Sequence, residues 1–224
     1  QYLVLVTLLL LNCIAGAWIW FNITNRSLEL IEGIGAGLAF TFVTIPLIGL
    51  FFAGRVSPLF IWLVFPIVTL ALTASLKRAR KIPLRVHMDP VLGFATIGGL
   101  LLGVFVYRQQ ILNAFTADPL DAAAYHPDLL PLAQIAESMS SSGLVQGGLM
   151  SDWPVRYHFF SSLLSGTLDQ ATINQPLVTL GGVIPLLSLV GIAILVAVLV
   201  RQLVTSRYLP SLAVLAVVFG RYVA

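Results

Sequence analysis

Charge is scarce in this chain. Asp, Glu, Lys and Arg together make up 9% of its 224 residues, against 58% hydrophobic residues, and the mean hydropathy is +0.98. A soluble domain carries roughly 25% charged residues. So few charges cannot cover a water-exposed surface, which leaves lipid as the solvent. Cysteine is scarcer still: Cys13 stands alone inside the first apolar run, and no intrachain disulfide can form. No basic segment precedes that run, so it does not read as a cleavable signal. No repeat or low-complexity segment stands out. The net charge of +3 and pI of about 9.3 do not point to nucleic acid, because most positive residues crowd into one short loop between apolar runs.

What is there is a series of apolar runs. A membrane span needs roughly 20 mostly apolar residues. Tyr2–Phe21, Leu30–Ala53, Pro58–Leu76, Pro90–Tyr107 and Pro176–Val200 satisfy this, and Leu209–Gly220 begins a short or truncated sixth. The fold class expected is all-α, a polytopic transmembrane bundle of about six spans. Residues 1–107 form its first four helices, residues 108–175 a long loop with two interfacial helices, and residues 176–224 the last two helices. Gln1 is not a methionine and Arg221 interrupts an apolar run just before Ala224, so both ends read as cut.

Orientation follows from the basic residues. Lys77, Arg78, Arg80, Lys81 and Arg85 crowd between the third and fourth spans, which predicts a cytoplasmic loop. Alternation puts Arg26 and the Arg201–Arg207 loop on the same side and the 108–175 loop outside. That outer loop is net acidic, with Asp118, Asp121, Asp128, Glu137, Asp152 and Asp169 against Arg108 and Arg156. Localisation in the cell membrane, multi-pass, is the expectation. Asn22-Ile-Thr24 and Asn25-Arg-Ser27 match the N-glycosylation pattern but fall on the cytoplasmic side, which makes them chance matches. Trp18, Trp20 and Phe21 mark one interface. Gly33 with Gly37, and Gly99 with Gly103, have the spacing of close helix packing, and Pro46, Pro66 and Pro185 lie mid-span, where they kink helices.

The outer loop is patterned. Leu129, Leu132, Ile135, Ala136 and Met139 recur at helical spacing, which predicts a helix from about Pro127 to Ser140, ended by Ser140-Ser141-Ser142-Gly143. A second helix is predicted from about Pro154 to Leu168, with Tyr157, Phe160, Leu164 and Leu168 on its apolar face. Such helices lie flat on the membrane or cap the bundle. The groups able to do chemistry gather at their starts: His126 and Asp128 on one, Arg156, Tyr157 and His158 on the other. Each has a plainer role. Asp128 suits a helix dipole, His126 can cap, and His158 can be one more interfacial aromatic. Together His126, Asp128 and His158 could hold a divalent metal ion, although their spacing matches no metal signature. No strand-turn-serine context supports a hydrolase. Elsewhere, Glu29 and Glu32 start the second span, and His87 and Asp89 sit in the basic loop.

The run Tyr125-His126-Pro127-Asp128-Leu129, then Gly143, then Asp152-Trp153-Pro154-Val155-Arg156-Tyr157-His158-Phe159-Phe160-Ser161, resembles the extracytoplasmic loop of large bacterial polytopic proteins similar to the GT-C class of membrane glycosyltransferases. The resemblance covers about forty residues. It implies many helices, a membrane-facing site, a polyprenyl-phosphate sugar as donor and a loop carboxylate, here Asp128, as catalytic base. In that class the catalytic loop usually follows the first span, whereas about four precede it here. The chemistry asks for a base on the acceptor hydroxyl and a cation near the leaving phosphate. Asp128 can be the base and Arg156, whose fork matches phosphate, its complement. His126, Tyr157 and His158 complete the candidate substrate-binding set. The partners expected are membrane lipid and the lipid-linked donor, with no nucleic acid. The rival readings are a transporter or channel component, which needs polar residues inside spans, and a non-enzymatic assembly subunit. Thr41, Thr44, Thr69 and Thr96, the polar residues noted within spans, are expected to bond to their own backbones.

Overall fold

Apolar runs without Gly–Pro breaks become helices because helix formation alone satisfies every backbone group inside lipid. In the computed structural model of the protein this gives α1 (Tyr2–Thr24), α2 (Leu30–Phe52), α3 (Pro58–Lys77), α4 (Pro90–Val106), α5 (Leu129–Ser142), α6 (Phe159–Ala171), α7 (Pro176–Leu203) and α8 (Leu209–Gly220). The structure describes residues 1–24, 27–52, 54–77, 86–108, 112–113, 115, 129–142, 146–147, 150–154, 159–173 and 175–220. Among the described residues three helices, α1, α2 and α7, are long and apolar enough to cross a membrane, and the apolar stretches of α3, α4 and α8 are shorter. Phe94 and Leu101 on α4 and Leu70 and Leu72 on α3 are exposed, as expected of a surface covered by lipid.

Among the described residues the helices pack into three apolar clusters: two share α2 and α7, and a smaller one, Ala133, Ala136 and Leu180, joins α5 to α7. Leu5, Leu8, Ile45, Trp62, Leu163 and Leu168 join α1, α2, α3 and α6. Ile31, Leu92, Ala95, Ile194 and Val214 join α2, α4, α7 and α8. Small residues let the helices approach. A Cβ on Gly37 would overlap the Cys13 carbonyl of α1, one on Gly99 would overlap Val214 of α8, and one on Gly103 would overlap Leu189 of α7. Gly33, the fourth glycine of the two spaced pairs, faces Leu28 of its own connection instead.

Two pairs of short strands qualify the all-α expectation. β1 (Leu28–Glu29) and β2 (Val86–His87) pair in parallel, Leu28 opposite Val86 and Glu29 opposite His87. β3 (Gln146–Gly147) and β4 (Met150–Pro154) pair antiparallel. β4 corrects the start of the second loop helix: Pro154 belongs to a strand, and the helix is described over Phe159–Ala171. The physical reason lies in Trp153-Pro154. A residue before proline is pushed out of the α region, and an aromatic at that position favours a strand.

A π-helical turn, Thr179–Val183, opens α7, with Ile184 N–H reaching back to Thr179 O. Pro185 follows it. Proline lacks an N–H and its ring displaces the carbonyl four residues back, and a widened turn accommodates both effects. Thr41 and Thr44 donate to the carbonyls of Gly37 and Phe40, as expected, at 2.8 and 2.7 Å. Thr96 departs from that expectation: its buried hydroxyl has no partner among the described residues.

Candidate functional site

His126 and Asp128 lie outside the described residues, in the segment before α5, and so do Arg156, Tyr157 and His158, between β4 and α6. What is described is the frame around those two segments. α5 begins at Leu129, the residue after Asp128, and α6 begins at Phe159, the residue after His158. α5 and α6 pack on each other, and α6 also packs on α2 and α3.

α6 enters the bundle. Its residues 162–169 are all buried. Leu163 fills the space above Gly49 of α2, and Trp62 Nε1 of α3 donates to Thr167 Oγ1 at 3.3 Å. Asn12 extends this polar line into α1, its Nδ2 donating to Leu8 O at 2.8 Å and to Trp62 O at 3.0 Å. A fully buried asparagine in the middle of a candidate span was not among the polar residues noted from sequence. Its position in the Leu5–Leu8–Asn12 stripe, at helical spacing, was the available signal.

Asp169 is the second residue that sequence reading passed over, having counted only as one charge of an acidic loop. Its side chain is fully buried near the end of α6. Oδ1 accepts from Gln175 N–H and from the Thr179 hydroxyl, the latter at 3.2 Å. Oδ2 is buried without a partner among the described residues. Burial pushes the carboxyl up to about 6, the two hydrogen bonds pull the other way, and the Glu137 carboxylate on α5 adds to the rise. A carboxyl held in that range can exchange a proton near neutrality.

The opposite end of the bundle carries a structural knot. Glu29 is buried, and its carboxylate accepts from Glu32 N–H at 2.6 Å and from Asp89 N–H at 3.1 Å. Trp20 Nε1 donates to Glu32 at 2.9 Å. Asp89 caps α4 by accepting from Val91 N–H at 2.9 Å and pairs with Arg201 Nε at 2.9 Å. Burial works to raise the Asp89 carboxyl, but the hydrogen bonds from Arg201 and Val91, with the fields of Arg201 and His87, hold it below the usual range. Between α2 and α7 runs a groove of about 820 Å³, apolar along Gly35, Ala39, Val43, Gly191 and Leu195, with Glu32 and Gln202 among its lining residues.

Among the described residues no group of three or more His, Cys, Asp or Glu side chains is placed to hold a metal ion. No family model matches the chain, and no curated protein or solved structure does either.

Proposed function

We propose that the chain is part of a multi-pass cell-membrane glycosyltransferase that transfers a sugar from a polyprenyl-phosphate donor to an extracytoplasmic acceptor. In this reading the bundle has six spans, and residues 108–175 form the extracytoplasmic catalytic loop, whose helix α6 dips back between the ends of α2 and α3. Asp128 takes the acceptor hydroxyl proton. Arg156 holds the donor phosphate, and His126, Tyr157 and His158 position the substrates. The observation that carries the reading is the anchoring of α6: buried between α2 and α3, it fixes the chain directly after Arg156–His158, while α5, packed on it, fixes the chain directly after Asp128. A reaction between two bound substrates needs its groups held on rigid elements. The apolar groove between α2 and α7 gives a lipid chain a place alongside.

The test is transfer of radiolabelled sugar from a polyprenyl-phosphate donor by the chain in membranes. Asp128→Asn keeps size and removes basicity. It is expected to abolish transfer with expression unchanged, since a lone dipole interaction contributes only about 0.3–1 kcal/mol. Full activity in that variant rules out Asp128 as the base. The transporter reading draws on a different observation, the buried Asn12 in α1. Solute uptake that depends on Asn12, with no sugar transfer, favours it instead.

A further inference from the structure

Ser165 and Asp169 stand one turn apart on α6, and both are fully buried. Residues at this spacing lie on one helix face, with about 5–6 Å between their Cβ atoms. Thr41, Thr73 and Thr167, buried like Ser165, each donate to the carbonyl four residues back, at 2.7 to 2.8 Å. Ser165 Oγ does not, and has no partner among the described residues. Neither does Asp169 Oδ2, although Oδ1 of the same carboxylate accepts two hydrogen bonds. A buried acceptor left unmatched is unfavourable, more so when charged. Two such oxygens on one face of one helix call for a shared partner.

The chemistry of that partner follows from the atoms. A carboxylate oxygen accepts and does not donate, so the partner is a donor or a cation. Glu137 on α5 adds negative potential at Asp169. Thr179, which opens the π-helical turn of α7, brings a hydroxyl oxygen to the same carboxylate. Turns of this kind recur at functional sites. Every donor in the set is a hard oxygen, which disfavours zinc, copper and iron. Two carboxylates with neutral hydroxyls fall short of the carboxylate-rich cages that hold calcium.

We propose that the α6–α7 junction binds a monovalent alkali cation through Asp169 Oδ2 and Ser165 Oγ, with the Thr179 hydroxyl beside them. The ion ties the loop helix α6 to the start of the candidate span α7, which makes packing of that junction depend on the cation. The charged group facing Asp169 from the packed elements is Glu137 on α5. Among the described residues, the π-helical turn and Pro176–Val178 carry no charged residue, and α2 and α3 carry theirs, Glu32 and Lys77, at their far ends. The proposal stands apart from sugar transfer, and its test needs no activity assay.

The chain is reconstituted in nanodiscs and its thermal unfolding followed in sodium, potassium or choline chloride at one ionic strength. The measurement is made near pH 8. Sodium or potassium should raise Tm over choline, saturably. Asp169→Asn should remove the difference. Ser165→Ala should weaken the apparent affinity about tenfold, the effect of one lost ligand. Equal Tm in all three salts near pH 8 overturns the site, and so does a cation effect that survives Asp169→Asn. If Asp169→Asn does not fold, Ser165→Ala decides: unchanged cation affinity overturns the site.

Discussion

Arg201 Nε reaches Asp89 Oδ2 at 2.9 Å across 112 positions of sequence, joining the last turn of α7 to the N-cap of α4. Asp89 does two jobs there, capping Val91 N–H and pairing with Arg201. The two can be separated. Asp89→Asn keeps an N-cap acceptor and removes the charge, whereas Asp89→Ala removes both. Loss of the cap costs about 1 kcal/mol. A partly exposed pair such as this one, its side chains 32% and 23% exposed, adds a screened contribution of about 0.2–1 kcal/mol. Thermal unfolding in detergent should therefore rank wild type above Asp89→Asn and Asp89→Asn above Asp89→Ala. High salt should narrow the first gap and leave the second. Equal stability of the two variants would show that the cap contributes nothing.

Asp89 and Asp169 should pull stability in opposite directions with pH. The Asp89 carboxyl is held below its ordinary value, so its contribution is present above the usual carboxylate range and is lost as pH falls through its folded value. Asp169 is raised to about 6, so between that value and its ordinary one the folded state binds more protons than the unfolded state. Stability should rise as pH falls from 7 to 5, by about 1 kcal/mol when no stabilising cation is present. Asp169→Asn should flatten that rise and leave the acid-side loss due to Asp89. Denaturation midpoints in choline buffers across the range check both signs, and a rise that persists in Asp169→Asn removes Asp169 as its cause.

Local rules carried the helix boundaries and little beyond them. Asp89-Pro90 announces the start of α4, because aspartate caps and proline suits the first turn, and the structure begins α4 there. Gly99 and Gly103 were readable as packing positions from spacing alone. Trp153-Pro154 was not readable as strand. Proline also favours a helix start, and the pairing of Met150–Pro154 with Gln146–Gly147 is a contact between separate segments. Asp169 looked like a solvated loop charge. Its burial arises only when α6 sinks between α2 and α3 and the turn to α7 folds over it, which no local pattern encodes. Asn12 was lost in an apolar run for the same reason, since its partner carbonyl on Trp62 lies fifty positions away. The segments holding His126, Asp128, Arg156, Tyr157 and His158 suggest chemistry by residue type alone, and they lie outside the described residues.

Gly37 and Gly98 make a matched pair for the packing argument. A methyl group on Gly37 meets the backbone of Cys13, which cannot step aside as a side chain can. One on Gly98 meets nothing within 4 Å. Gly37→Ala should force α1 and α2 apart and destabilise by about 1–3 kcal/mol, the usual range for overpacking. Gly98→Ala should be neutral or stabilising by up to about 1 kcal/mol, because alanine is the better helix former. Unfolding of the two variants side by side separates contact from propensity. Equal effects would mean that the α1–α2 crossing yields freely.

The two ends of the bundle should face opposite sides of the membrane, with the basic end inside. The β1–β2 pair brings Leu28–Glu29 against Val86–His87, and the Asp89–Arg201 bond adds the end of α7. Three connections that alternation assigns to one side thus meet at one end. α6 meets α2 at Gly49 and α3 at Trp62, near the other ends of those helices. The basic run Lys77–Arg85 belongs to the first end, and cytoplasmic loops carry the excess of Lys and Arg. In a Cys13→Ser background, a cysteine placed at Ser141 in α5 should react with an impermeant maleimide on intact cells. A cysteine at Ala79 should react only after permeabilisation. Labelling of Ala79→Cys on intact cells, with Ser141→Cys protected, would invert the orientation and put Asp128 and Arg156 on the cytoplasmic side. An extracytoplasmic acceptor would then be out of their reach, and the proposed transfer reaction would fail with the topology.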